Sequence, residues 1–184
     1  MTQPLPDRSD RPDANLAYVT LVPSADDYRD AVSRFATGIV VVTCRVLGVD
    51  HAMTANSFTS VSLDPLLVLV CVERDSRFHE AIVASDAWGV SILPRSAEDA
   101  SRWLATRGRP LHGQLDSVPH GQGDVTGTPL IKGALATLEC RTHAMFPGGD
   151  HDIVVGEVVA VSAESDTPPP LLYYRRGYRS IRDH

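Results

Sequence analysis

Two apolar-rich stretches, Leu135–Met145 and Ile153–Ser162, flank the run Pro147-Gly148-Gly149-Asp150. Pro and Gly punctuate a chain where it must reverse, so this arrangement predicts two long strands joined by a turn. A two-stranded hairpin is only marginally stable alone in water and needs further strands to cover it. The chain supplies them. Ile39–Thr43 and Leu66–Val72 are β-branched or apolar runs, too short for free-standing helices and suited to fully buried strands. Further strands are predicted at Trp88–Leu93 and Leu171–Tyr174.

Helices are fewer. Ser24 is placed to cap one, with Asp27 three residues later and Tyr28, Val32 and Phe35 sharing a face; Gly38 is placed to stop it. A short helix is expected after Ser76 and another after Ser96, with Asp99 three residues on. Arg107–Gly127 has no clear period and reads as a long loop, and Asp166-Thr167-Pro168-Pro169-Pro170 as a rigid one. No repeat at a fixed period is present. The order lacks the regular strand–helix alternation of a doubly wound sheet, so the chain reads as mainly β, an antiparallel barrel with flanking helices. Residues 24–184 are expected to form that domain, and residues 1–23, rich in Pro, Asp and Arg, a tail.

The formal net charge of −6 argues against non-specific nucleic-acid binding, which needs a cationic surface. No apolar run approaches the roughly 20 residues that span a bilayer, and the N-terminus lacks a basic-then-apolar leader. The three cysteines, Cys44, Cys71 and Cys140, lie in strand-like stretches without a Cys-x-x-Cys pair. They read as reduced, buried thiols of a cytoplasmic protein.

Several chemistries leave no trace. There is no G-x-G-x-x-G after a strand, only a lone Gly121-Gln122-Gly123, and no G-x-S-x-G elbow. The seven histidines form no tight ligand pair, and the densest cluster, Asp150-His151-Asp152, places neighbours on different sides, so no metal is predicted. Met53–Leu63 is more distinctive, with Thr54, Asn56, Ser57, Thr59, Ser60 and Ser62 in one small, hydroxyl-rich run closed by Asp64-Pro65. Such a run either hydrogen-bonds the heteroatom edge of a flat ring or is a polar, partly exposed strand. Glu73-Arg74-Asp75-Ser76-Arg77 leads from a buried strand into a helix. It reads either as an anion site with two guanidiniums or as a plain Ser cap on a solvated helix.

Phe35-Ala36-Thr37-Gly38-Ile39-Val40-Val41-Val42-Thr43, then Met53 through Pro65, then Gly149-Asp150-His151 leading to Val155-Gly156-Glu157-Val158, resemble the short-chain flavin reductases. These are the reductase components of two-component flavin-dependent monooxygenases. Trp88–Leu93, Ala134–Cys140 and Pro170–Tyr174 extend the likeness, which runs from about Tyr28 to Tyr178. The resemblance implies an FMN-binding split β-barrel of antiparallel Greek-key type, working as a homodimer with the active site near the subunit interface. It implies hydride transfer from NADH or NADPH to FMN or FAD, and a monooxygenase that receives the reduced flavin. By the same resemblance Thr37, Thr54, Ala55, Asn56, Ser57, Ser60, Val61, Ser62, Cys71, Arg74, Asp75, Ser76, Arg77 and Tyr178 bind the flavin, with the phosphate at Glu73–Arg77. His151 is the catalytic-site histidine facing the nicotinamide, with Gly48, His51 and Ala52 helping to hold it. Ala52 stands where Gly is often found, and Trp103-Leu104-Ala105 where Phe-Ala is common. Two other readings compete. One is a reductase that retains its flavin and acts on a quinone, nitro compound or corrinoid; the other is a non-catalytic flavin- or haem-binding module.

Overall fold

The computed structural model describes residues 22–110, 112–165 and 168–181. In chain order the elements are α1 (Ala25–Val32), β1 (Thr37–Gly38), β2 (Val40–Val46), β3 (Val49–Ala55), β4 (Thr59–Leu63), β5 (Leu66–Glu73) and α2 (Arg77–Val83). They continue with β6 (Ala87–Ile92), α3 (Glu98–Ala105), β7 (His120–Gln122), β8 (Pro129–Ile131), β9 (Ala136–Gly148), β10 (His151–Ala163), β11 (Leu172–Tyr174) and β12 (Gly177–Arg179).

Seven strands form one antiparallel sheet in the order β3-β2-β6-β9-β10-β5-β4. Its two end strands, β3 and β4, are consecutive in sequence and separated only by residues 56–58. The Cα atoms of Ala55 and Thr59 therefore lie within roughly 15 Å of each other, the reach of four trans peptides. The sheet must curl until its ends face, without the two strands pairing, and the result is a split barrel.

The pleat explains how its strands are buried. On β2, Val40, Val42 and Cys44 point into the barrel with Val68, Val70, Val72, Trp88, Val90 and Val154, while Val41 points the other way. Phe78, Ala81 and Ile82 of α2 pack into the same interior and plug it. The opposite face of β2 is covered by a second core, in which Leu104 of α3, Leu115, Val118, Ile131 and Leu171 meet Val41 and Ala52.

Polar groups fasten that cover. The Thr43 hydroxyl donates to the Pro129 carbonyl, and the Ser91 hydroxyl accepts from the Ile131 N–H at 2.9 Å. Glu139 is buried, yet its carboxylate accepts from the Val125 and Thr126 amides and the Thr126 hydroxyl. Burial alone would raise its pKa, but these bonds outweigh it and hold the group below its ordinary value. Gly123 leaves room for that carboxylate, since a Cβ there would stand 2.8 Å from Oε1. The lone G-x-G thus serves packing.

Several boundaries differ from expectation. The capping box at Ser24 and Asp27 is present, but α1 ends at Val32, with Ser33 closing it, well before Gly38. Gly38 instead pairs with Leu172 in a small sheet ordered β1-β11-β12, where β12 was not anticipated. Tyr28, Val32 and Phe35 are exposed, so the apolar face of α1 packs on nothing among the described residues. Ser76 caps α2 as expected, its hydroxyl accepting from the His79 N–H at 3.2 Å. Ser96 caps nothing: it lies in a 3₁₀ turn, Arg95–Ala97, that feeds α3 directly.

The presumed loop Arg107–Gly127 contains β7, which pairs with β8. The β9–β10 turn narrows to Gly149-Asp150, because Gly148 already pairs with His151. Gly149 takes a positive φ and Asp150 does not, the signature of a type II′ hairpin. Residues 1–21 of the expected tail, Leu111, and Asp166 and Thr167 of the expected rigid loop lie outside the described residues. No described helix is long and apolar enough to cross a membrane.

Candidate active site

The open seam of the barrel leads to the candidate site. His51, Ala52, Met53 and Thr54 of β3 form one wall of a cavity of about 450 Å³. Glu73 at the end of β5, then Asp75, Ser76, Arg77 and Phe78, form a second. Ala105, Thr106, Arg107, Gly108, Arg109 and Gln114, following α3, form the third. The walls meet because β3 and β5 end near the seam and α2 begins there.

Arg77 and Arg109 border this cavity, and neither is bonded to a carboxylate among the described residues. The Arg77 guanidinium donates to the Arg109 carbonyl, and Arg109 donates to the carbonyls of Thr106 at 2.6 Å and Ala52 at 2.8 Å. Burial, then the neighbouring Arg77 charge, lowers the Arg109 pKa, and its Nε is buried without a partner among the described residues. Arg107 is neutralised by Glu73, at 2.7 Å to both carboxylate oxygens. The Arg77 guanidinium, with no acid bonded to it among the described residues, fits an anionic group such as an organic phosphate; the Ser76 hydroxyl beside it donates to the Glu73 carbonyl at 2.7 Å.

The cavity gathers His51, Ala52, Thr54, Asp75, Ser76 and Arg77 from the residues expected to bind. Other residues lie elsewhere. Arg74 is turned to β10, donating to Asp152 Oδ1 at 2.9 and 2.6 Å, while His79 Nε2 lies 2.7 Å from the other oxygen. Arg74 and then His79 hold the Asp152 carboxyl below its usual range. Gly48 sits in the β2–β3 turn and lines a separate cleft of about 220 Å³ with Asp50, His112, Asp116 and His120. Gln114 borders both cavities. His51 is half-buried, and that burial lowers its pKa.

The hydroxyls of the 53–63 run are largely spent within the protein. Thr54 donates to the Ser101 carbonyl at 2.8 Å, and the Ser57 hydroxyl bridges the Cys71 N–H and C=O at 3.0 and 3.2 Å. Ser62 accepts from the Asp64 N–H at 3.2 Å. Ala55 is buried; Asn56, Ser60 and Val61 are exposed beside the seam. Cys71 is half-buried, not buried, and desolvation raises its pKa; Cys44 and Cys140 are buried and pushed up to about 12. All three thiols are free.

Tyr178 reaches the site indirectly, through its hydroxyl 2.9 Å from that of Ser101, with the Arg102 guanidinium 4.5 Å above its ring. The Thr37 hydroxyl is buried without a partner among the described residues. His151 is directly opposite Glu73 in the β10–β5 register, at the rim of the cavity and not in its wall. Its Nδ1 lies 2.7 Å from Asp150 Oδ1, and this bond lowers the Asp150 pKa. Among the described residues no group of three or more His, Cys, Asp or Glu is arranged to hold a metal ion. Arg107, Arg109 and Gln114 were missed because they lie in an aperiodic segment; the available signal was Arg-Gly-Arg-Pro in a net acidic chain.

The split antiparallel barrel is the fold of solved flavin reductases. Residues 32–182 match the flavin reductase like domain, and the chain belongs to that family. It is 46% identical over 130 residues to an NADH-dependent FAD reductase of Streptomyces globisporus, covering 70% of each chain. It is 39% identical over 154 residues to the reductase component of 4-hydroxyphenylacetate 3-monooxygenase from Thermus thermophilus, covering 84% of this chain and 95% of that one. Among solved structures, BorF, the flavin reductase component of a bacterial two-component tryptophan halogenase, superposes with a TM-score of 0.82 at 40% identity. That likeness covers 88% of this chain and all of BorF.

Proposed function

We propose that the chain is an NAD(P)H:flavin oxidoreductase that reduces FMN or FAD and passes the reduced flavin to a separate monooxygenase. The observation that carries this reading is the cavity itself, which joins an arginine-bearing anion site to the unpaired edge of β3. The relatives' description as NADH-dependent reductases supports NADH as the hydride donor.

The flavin and nicotinamide supply the hydride chemistry between them. The chain's residues bind and orient. Arg77 holds the flavin phosphate at the start of α2, where the Ser76 hydroxyl caps the helix and donates to the Glu73 carbonyl, and the β3 wall at His51–Thr54 supports the rings. Much of the rate advantage comes from holding the reacting atoms roughly 3–3.5 Å apart. His151, held by Asp150 at the rim, covers the nicotinamide and excludes water. His151→Ala is expected to lower kcat/KM for NADH by about tenfold, the worth of roughly one oriented contact, with the flavin Kd unchanged within twofold. Steady-state kinetics with fluorescence titration check this, and unaltered NADH kinetics would remove His151 from the site.

The functional unit we propose is a homodimer in the cytoplasm. Leu63 and Leu66 flank the β4–β5 turn, at the end of the sheet where Val159 and Val161 of β10 run beyond β5. All four are exposed, as are Tyr28, Val32 and Phe35. A second copy covering such apolar surface would remove it from water. Sedimentation equilibrium should give twice the chain mass of 19.9 kDa, and a monomer at micromolar concentration would contradict the dimer. The three free thiols fit a reducing compartment; thiol labelling of freshly lysed cells should find all three reactive after unfolding, and an oxidised pair would contradict a cytoplasmic location.

A further inference from the structure

Strand β3 is an end strand, paired with β2 on one side only. Opposite Thr43, Ala52 turns both of its backbone hydrogen-bonding groups to the open edge. Two side chains take them. The Ala52 N–H donates to Gln114 Oε1 at 3.2 Å, and the Ala52 carbonyl accepts from Arg109 Nη2 at 2.8 Å. Exposed strand edges are ordinarily left to water or blunted by charge. Here both backbone groups of one residue, Ala52, which belong to successive peptides in the cavity wall, are held by residues more than 50 positions away.

Both of these residues are themselves held. The Trp103 indole N–H donates to the Gln114 carbonyl at 2.9 Å, and Gln114 is buried. Arg109 spends its other terminal nitrogen, Nη1, on the Thr106 carbonyl, and its own carbonyl receives Arg77. Thr54, two residues along β3, is tied to α3 through the Ser101 carbonyl. The wall at His51–Thr54 is thereby anchored at Ala52 and at Thr54 to one body, α3 and the segment after it.

We propose that Arg109 and Gln114 are positioning residues that hold the Ala52 backbone and so set how closely the nicotinamide approaches the flavin. The inference rests on reading this cavity as the flavin and nicotinamide site. The two side chains act through the backbone of β3. A misplacement of about 1 Å between reacting groups costs on the order of a hundredfold in rate, and loss of one tether allows a fraction of that shift. Burial and the nearby Arg77 both weigh against a charge on Arg109, a cost that a hold on a loop distant from any site would not require.

The test uses the full chain with Gln114→Leu and Arg109→Met. It measures kcat and KM for NADH at saturating flavin, and the flavin Kd by fluorescence quenching. Each variant is expected to lose about five- to tenfold in kcat/KM for NADH, the worth of roughly one hydrogen bond, with the flavin Kd within twofold of the parent. Gln114→Glu, which keeps an acceptor oxygen for the Ala52 N–H, should restore at least half of the loss at Gln114. NADH kinetics within twofold of the parent would overturn the proposal. So would a flavin Kd that rises in step with the kinetic loss, which would make the residues direct flavin ligands, or an absence of rescue by Gln114→Glu. If the truncations do not fold, Gln114→Asn decides: it withdraws the oxygen by one methylene and should cost two- to fivefold, and no cost overturns the proposal. A parent protein that oxidises no NADH with added flavin would instead refute the functional reading and carry this inference down with it.

Discussion

Replacing Gly156 with alanine is expected to lower the thermal unfolding midpoint by roughly 6–12 °C, the counterpart of about 3 kcal/mol in a domain of this size. Gly156 lies at an irregularity in the β9–β10 ladder, directly behind Trp88. A Cβ there would stand 2.8 Å from Trp88 Cε2, closer still to Cζ2, and 2.9 Å from the Cys140 Cβ. Trp88 is fully buried in the barrel interior and has no free side to turn to. The ring cannot yield without displacing its neighbours in the buried core, so the strain spreads through an interior packed at crystal-like density. A calorimetric or circular-dichroism melt measures the shift; an unchanged midpoint would mean that the β10 backbone moves away from Trp88 at little cost.

The second large effect concerns ligand affinity. Arg77→Ala is expected to weaken flavin binding by about 10- to 100-fold, since a charge-assisted hydrogen bond contributes about 1.5–3 kcal/mol. Ser76→Ala in addition removes the cap of α2 and its bond to the Glu73 carbonyl, which costs about 1 kcal/mol of stability and loosens the backbone that carries Arg77. The double variant should therefore show both weaker binding and a lower melting temperature, while the single Arg77 variant shows mainly the first. NADH affinity should change little in either. An unaltered flavin Kd in Arg77→Ala would move the phosphate to another part of the cavity.

How far the residues alone revealed this molecule depended on the range of the interactions involved. The apolar runs of β2, β5, β6, β9 and β10 made the sheet legible, but of β2, β5 and β6 only β2 and β6 are buried on both faces. Strand β5, expected to be fully buried, alternates, with Val68, Val70 and Val72 buried and Leu66 exposed. Local caps were legible where the side chain bonds its own turn, as at Ser24 and Ser76, and misread at Ser96, where a 3₁₀ turn replaced the cap. Gly38 looked like a helix stop, yet it is a strand residue whose partner, Leu172, lies far along the chain.

The site shows the same division. Ser76 and Arg77 could be picked out because they share a short segment. Arg109 and Gln114 could not, since only the fold carries the segment after α3 onto the open edge of β3. Arg74 illustrates the converse. Its place beside Ser76 made it a natural phosphate ligand, but Asp152, across a strand pairing that no local pattern reveals, claims its guanidinium. The hydroxyls of Thr54 and Ser57 likewise read as donors to a flat ring, while their commitment to Ser101 and Cys71 became visible only in three dimensions.

The most direct test of the account mixes the purified full chain with NADH and follows the absorbance at 340 nm in air as FMN or FAD is added. The account predicts oxidation that depends on added flavin and saturates with it, as expected of a protein that takes flavin as a substrate. NADH oxidation absent with both flavins, or undiminished when flavin is withheld and none co-purifies, would contradict it.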